Sequence, residues 1–83
     1  MLLRIAAPCG SAPREVEVAA RWLPSQRRID RAHRTAAGLC VLPWLGDEEA
    51  VELTVRTAGA RAMVEVRRDR ADGGRVLDLR LAQ

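Results

Sequence analysis

Four stretches of the chain alternate strictly between apolar and polar side chains, and this alternation constrains the fold more than any other feature. A half-buried β-strand turns every second side chain toward the core, so a period of two predicts a strand. The apolar members of the four stretches are Leu3, Ile5 and Ala7; Val51, Leu53 and Val55; Ala62, Val64 and Val66; and Leu77, Leu79 and Leu81. The chain is therefore expected to be built on an antiparallel sheet.

The last three of these strands are predicted to form a meander over residues 50–82. The segments 57–60 and 69–74 separate them, and both contain the glycines that tight reversals need. In this arrangement the arginines of residues 67–80 lie on the solvent side of the sheet, among acidic neighbours. The basic C-terminal tail therefore requires no ligand.

Residues 26–37 are predicted to form the one helix of the domain. Ser25 follows Pro24 as a possible N-cap, the segment contains good helix formers, and Gly38 stands where a helix would end. We expect this helix to pack on one face of the sheet.

Two further segments are predicted to be strands. Residues 14–23 fit either a strand or a helix, and the Val-Glu-Val pattern that begins at Val16 favours the strand. Residues 39–45 form a short apolar run, which Pro43 would confine to an edge or a bulge. The whole is expected to be an α+β fold in the order β-β-α-β-β-β-β.

The length predicts a single small domain, residues 1–83, with a thin core. A domain of this size buries only about 60% of the surface that its unfolded chain exposes. Its only aromatic residues are Trp22 and Trp44, so the core must be largely aliphatic. Each tryptophan lies within two residues of a proline, where it could pack in the core or form an interface. Because a partner could cover apolar surface that the monomer leaves exposed, we expect a homodimer.

The net charge of +3 comes from 14 basic residues, all of them arginine, against 11 acidic ones. Such arginine usage in an alanine-rich chain is typical of a GC-rich bacterial genome, and most of the charge alternates in sign, as on a solvated surface. Residues 27–34 depart from this pattern. They contain Arg27, Arg28, Arg31 and Arg34, with His33 beside them and only Asp30 opposing. These arginines are candidate contacts for nucleic acid or for an acidic protein partner.

Candidate chemistry is sparse. A Cys-His pair could activate a nucleophile, but nothing in the spacing of Cys9, His33 and Cys40 brings them together. The chain lacks the spacings that preset a metal site, and Asp72-Gly-Gly is a turn without the helix of a phosphate-binding loop. We therefore predict no catalytic residues, no cofactor and no metal.

The cellular context is predicted to be the cytoplasm. The apolar run in residues 1–9 is too short for a signal peptide and is interrupted by Arg4. No stretch approaches the roughly 18 apolar residues of a membrane-spanning helix. Cys9 and Cys40 could pair, but two thiols form no framework of the kind used by small secreted domains, so reduced thiols are the simpler expectation.

From Val16 onward, the order of elements resembles the SPOA domains of flagellar switches and type III secretion sorting platforms. A strand and a short helical stretch precede "LCVLPWL", and "AVELTV", "AMVEV" and "VLDLRL" follow. The resemblance concerns layout only, and the chain lacks the Gly-Asp step that usually precedes the strand matched by "LCVLPWL". It implies an intertwined dimer that serves as an assembly part, and it transfers no functional residues.

Together these observations predict a small, non-enzymatic protein-protein interaction or assembly module that forms a homodimer. The alternative is an RNA- or DNA-binding accessory protein that uses the arginines of residues 26–37. No recognised nucleic-acid motif supports that alternative, and neither tryptophan is placed to stack on bases. A third reading is a small cofactor-free enzyme with a pocket between sheet and helix.

Overall fold

The computed structural model describes residues 1–71 and 76–83, and it consists mostly of β-strands. The strands are β1 (Leu2–Ala6), β2 (Glu15–Leu23), β3 (Arg28–Arg34), β4 (Leu39–Val41), β5 (Ala50–Thr57), β6 (Ala60–Arg67) and β7 (Val76–Arg80). The helix α1 (Arg68–Ala71) has four residues and follows β6 directly. The strand interpretation of residues 14–23 is confirmed by β2.

The predicted α+β class is wrong, and the error lies in residues 26–37. This segment forms β3, which pairs antiparallel with β2 over seven residue pairs from Arg28 to Arg34. The signals taken for helix caps belong to turns, with positive φ at Gln26 before β3 and at Ala37 and Gly38 after it. Helix propensity is a weak local preference, and here the hydrogen-bond ladder offered by β2 overrides it.

The predicted meander of residues 50–82 is only partly correct. β5 and β6 form an antiparallel hairpin that turns through Gly59. β7, however, leaves this sheet and pairs in parallel with β1. Residues 69–71 of the predicted turn belong to α1, whereas 72–74 lie outside the described residues, as does Arg75 of the arginine-rich tail.

The strands form two sheets whose apolar faces make one core. The first sheet has the order β3-β2-β5-β6 and is antiparallel, and the second has the order β4-β1-β7. Side chains from both sheets meet between them: Leu3, Ile5, Val16, Val18, Trp22, Cys40, Leu42, Val51, Leu53, Val55, Val66 and Leu81. No polar or charged side chain is buried in the described part of the chain. Burial of apolar surface is therefore the main contribution of side chains to stability.

The two sheets are joined at one corner and open at the other. At the joined corner, Arg61 and Ala82 exchange two backbone hydrogen bonds of 2.9 Å. At the other corner, β3 and β4 follow each other along the chain, but no ladder pairs them among residues 1–71 and 76–83. Within the described residues, β3 therefore has a hydrogen-bonded neighbour on one side only, which is β2.

Gly38 lies where the chain passes closest to β1. Its carbonyl accepts a hydrogen bond from the Ile5 N–H at 2.8 Å, and its φ is +83°. A Cβ added at Gly38 would lie 2.7 Å from the Ile5 carbonyl oxygen. Only glycine fits this position without a shift of backbone.

We expect Leu53→Ala to lower the free energy of unfolding by about 2–5 kcal/mol, because it leaves a cavity in the core. Leu53 is 1% exposed on β5. Met63→Ala on β6 is the control, since Met63 is 74% exposed and its truncation should change stability by less than about 0.5 kcal/mol. Urea denaturation followed by tryptophan fluorescence measures both changes. Equal losses would contradict the assigned core.

Gly38→Ala should lower the free energy of unfolding by about 2 kcal/mol or more, because it combines a disfavoured φ with a backbone clash. Gly10→Ala is the matched control. Gly10 also has positive φ, at +90°, but nothing lies within 4 Å of an added Cβ. Its substitution should cost about 1 kcal/mol from φ alone. Thermal unfolding measures the loss of stability in each variant. Equal losses in the two variants would contradict the close approach of Gly38 to β1.

Candidate functional site

An apolar groove of about 200 Å³ lies at the open corner between the sheets. One wall is the inner face of β2 and β3, and the other is the segment 42–45 that follows β4. Three side chains of β3 line it: Ile29, Arg31 and His33. The groove thus has an apolar interior with two polar side chains on the side of β3.

The register of the strands explains the empty space. Ala20 of β2 lies between Ile29 of β3 and Leu53 of β5 on the same face of the sheet. A methyl group flanked by two larger side chains leaves a depression that nothing else fills. β4 ends at Val41, two residues before Pro43, and the following residues cross the open corner as the far wall.

The two tryptophans meet at this groove. Their ring centroids are 5.0 Å apart, and the rings are inclined by 85°, which is an edge-to-face pair. Trp44 is half-buried and donates its indole N–H to the Glu48 carbonyl at 2.8 Å. Trp22 is 4% exposed, and its indole nitrogen has no hydrogen-bond partner among the described residues. A buried donor without an acceptor costs about 1–3 kcal/mol, so this wall of the groove carries an unsatisfied polar atom.

The outer edge of β3 is open to an incoming strand. The backbone N–H of Trp22 donates to the Arg27 carbonyl, and the backbone N–H of Thr35 donates to the Arg14 carbonyl, both at 2.8 Å. These bonds mark the phase of an antiparallel ladder, in which bonded and non-bonded pairs alternate. Residues 29, 31 and 33 therefore bond to β2. Residues 28, 30, 32 and 34 turn their N–H and C=O groups toward the open edge.

The four candidate arginines all lie at this edge, but they do not share one face of the sheet. Arg27 precedes β3. Arg28 and Arg34 lie on the outer face of the sheet, whereas Arg31 lies on the groove face with His33. All four are exposed, and within the described ranges none of them is in an ion pair.

On the two inner strands of the sheet, β2 and β5, exposed charges form ion pairs. Arg21 pairs with Glu52 across β2 and β5 at 3.5 Å, and Arg56 pairs with Glu17 at 2.8 Å. On β3 the one acidic residue, Asp30, stands opposite Ala19 in the register with β2. Arginines without an ion pair in the described residues therefore lie on both terminal strands of the sheet, and those of β3 stand beside the groove.

The sequence indicated the arginines and both tryptophans but not the groove, which is lined by the tryptophans and by Arg31 alone of the four arginines. The missing residues are Ala20, Ile29 and the 42–45 segment. Ala20 and Ile29 were assigned to elements whose neighbours were not known. The proline within two residues of each tryptophan was the one available signal, since it indicates that the chain turns away from the sheet at that point.

Neither cysteine contacts His33 through a hydrogen bond in the described part of the chain. Both thiols are free, with Cys9 exposed and Cys40 buried in β4. Ser11 Oγ lies 3.0 Å from Cys9 Sγ, and this hydrogen bond lowers the pKa of the Cys9 thiol by favouring the thiolate. Burial raises the pKa of the Cys40 thiol. The two thiols thus differ in access and in ionisation.

Residues 1–71 and 76–83 lack two other kinds of feature. No group of three or more His, Cys, Asp or Glu side chains is placed to hold a metal ion. No helix there is long and apolar enough to cross a membrane.

We expect Cys9 to react rapidly with a thiol reagent in the folded protein, whereas Cys40 should react only on unfolding. The reaction of Cys9 should begin at a lower pH than that of an ordinary thiol, because its pKa is lowered. Ionisation of Cys40 in the folded state should begin at a higher pH, because its pKa is raised. Mass spectrometry after timed alkylation measures this order. Cys9→Ser should abolish the rapid reaction, and rapid labelling of Cys40 in the folded protein would contradict its burial.

Comparison of the chain with known protein families, curated proteins and solved structures finds no match. The layout that resembles SPOA domains included a helical stretch before "LCVLPWL", and that part is wrong, because the stretch forms β3.

Proposed function

We propose that this protein is a non-enzymatic interaction module that binds an extended acidic segment of a partner protein at the open edge of β3. The segment adds to the sheet as a strand next to β3. Backbone hydrogen bonds hold it there, and its acidic side chains pair with the arginines of residues 27–34. Strand addition of this kind is a recurring mode of peptide recognition.

One observation carries the proposal: an open edge and three arginines without an ion pair in the described residues lie on the same strand. β3 is the terminal strand of its sheet and is seven residues long, which is enough for a ladder with a partner. Its even-numbered residues offer backbone donors and acceptors outward. Arg28 and Arg34 flank that row of groups on the same face, so an acidic strand is attracted to both ends of it.

The same charges disfavour a second copy of this chain at this edge. Pairing β3 with β3 of another copy would bring three arginines from each copy together against one aspartate from each. Like charges on neighbouring strands are destabilising, and charged side chains on an edge are a common means of preventing self-association. The expected homodimer therefore stays a prediction that must use another surface.

The placement of the arginines also favours a protein partner over nucleic acid. Binding to a polyphosphate backbone gains from a continuous basic surface. Here Arg28 and Arg34 share their face with Glu15 and Glu17 of β2, whereas Arg31 lies on the opposite face. Nucleic-acid binding would in addition leave the hydrogen-bonding groups of the edge unused.

The test uses a fluorescein-labelled heptapeptide, Glu-Ala-Glu-Phe-Glu-Ala-Glu, whose symmetric order makes both strand directions equivalent. Fluorescence anisotropy should show binding that weakens with added salt. Arg28→Glu combined with Arg34→Glu should weaken it by about tenfold or more, because two attractive charge pairs become repulsive. A peptide with Lys in place of Glu should not bind.

The matched control is Arg61→Glu combined with Arg67→Glu. These two exposed arginines lie on the outer face of β6, at the other side of the same sheet, and their spacing equals that of Arg28 and Arg34. This control variant changes the net charge of the protein by the same amount as Arg28→Glu combined with Arg34→Glu. It should bind the peptide with nearly unchanged affinity, apart from a small loss caused by the lower net charge. Equal losses in the two double variants would overturn the proposal, as would tighter binding of an oligonucleotide than of the acidic peptide.

Backbone N-methylation separates strand addition from simple charge attraction. For antiparallel addition with Phe toward the groove, methylation of the inner Glu amides should abolish binding, whereas methylation of the Ala amides should be tolerated. Parallel addition predicts the reverse pattern. Unchanged affinity of both methylated peptides would contradict the proposed ladder.

A further inference from the structure

The groove lies on the inner face of the four-stranded sheet. A strand that adds to the open edge of β3 would turn every second side chain toward that same face. An added strand lies about 4.7–4.9 Å from β3, and every second side chain points toward the groove side. We infer that the groove binds one bulky side chain of the acidic segment, preferably an aromatic one. This inference rests on the proposed function and specifies the partner further.

The size of the groove fits one ring. Its volume is about 200 Å³, and an apolar cavity of about 150 Å³ is known to hold benzene. The space exists because Ala20 stands between two larger residues, Ile29 and Leu53. A partner side chain from a strand beside β3 would enter over Ile29 and close the groove on that side.

The walls favour an aromatic occupant over an aliphatic one. Trp22 and Trp44 already form an edge-to-face pair, and a third ring can extend such a pair. Trp22 is part of these walls, and its buried indole N–H has no hydrogen-bond partner among the described residues.

The polar side chains of the groove place acidic residues near the anchor. Arg31 and His33 follow Ile29 on the groove face of β3, because residues 29, 31 and 33 alternate with outward-facing ones. A groove-facing acidic residue two positions from the aromatic one would lie opposite Arg31. The recognised segment is therefore an extended strand with one aromatic anchor and acidic residues on both of its faces.

Tryptophan fluorescence reports on this site. Its two tryptophans are its only aromatic residues, and both line the groove. Binding of Glu-Ala-Glu-Phe-Glu-Ala-Glu should therefore shift the tryptophan emission. The same peptide with Ala in place of Phe should bind roughly tenfold to a hundredfold more weakly, because less apolar surface is buried, and should leave the emission unchanged.

Ala20→Leu fills the groove from the protein side. It should reduce the affinity for the Phe peptide to that for the Ala peptide, without changing the affinity for the Ala peptide. Ala19→Leu is the matched control, because Ala19 is the adjacent residue of β2 and lies on the opposite face, beside Asp30 and Thr54. Thermal unfolding verifies that both variants fold. If Ala20→Leu does not fold, the difference in affinity between the Phe peptide and the Ala peptide tests the groove inference by itself.

The outcomes separate this inference from the proposed function. Equal affinity for the two peptides, with binding still lost in the Arg28→Glu/Arg34→Glu variant, overturns the groove inference and leaves the edge proposal intact. Binding of the Phe peptide that is indifferent to that variant overturns the edge proposal. Tryptophan emission that changes with protein concentration alone, together with a dimer mass by light scattering, would show that a second copy fills the groove and would overturn the inference.

Discussion

The two ends of the chain hold the structure together. β7 pairs in parallel with β1, and the β4-β1-β7 sheet that results supplies the second layer of the core. The four-stranded sheet is apolar on one face only, and such a face must be covered by another layer. Leu3, Ile5 and Leu81 provide that cover, each at most 2% exposed. Without the pairing of the ends, the larger sheet would expose its core residues to water.

The three-stranded sheet is narrower than the four-stranded sheet on which it packs, and the candidate site results from this difference in width. Three strands lie against four, and they are joined to them at the side of β6 through Arg61 and Ala82. The mismatch therefore appears on the side of β3. There the fold leaves both an apolar face and a row of backbone hydrogen-bonding groups available to another molecule. A small domain that cannot bury all of its apolar surface thus concentrates the exposed part at one corner.

Charge has a different role on each part of the sheet. In its interior strands, pairs such as Arg56 and Glu17 compensate each other on an exposed face, where they contribute little to stability. On β3 the arginines have no such partners in the described chain. They repel another copy of the same edge and attract a strand of opposite charge. The same side chains can therefore prevent aggregation and select a partner.

The amino-acid sequence by itself determined which side chains face the core. The alternation of Val51, Leu53 and Val55 predicted their burial correctly, and the Val-Glu-Val pattern of β2 was sufficient to favour a strand. It also identified the cluster of arginines and the two tryptophans. These properties depend on periodicity and composition, which are local and can be seen along the chain.

Only the tertiary structure decided which strands pair and what lies between them. Residues 26–37 carry helix formers and apparent caps, yet the ladder with β2 makes their central part a strand, because a neighbouring edge outweighs a local propensity. Alternation shows that Leu77 and Leu79 share one face of β7, but it does not show that β1 is its partner. Likewise, Ala20 marks a groove only once Ile29 and Leu53 are known to flank it. Pairing and cavities depend on residues far apart in the sequence, and no local pattern contains that information.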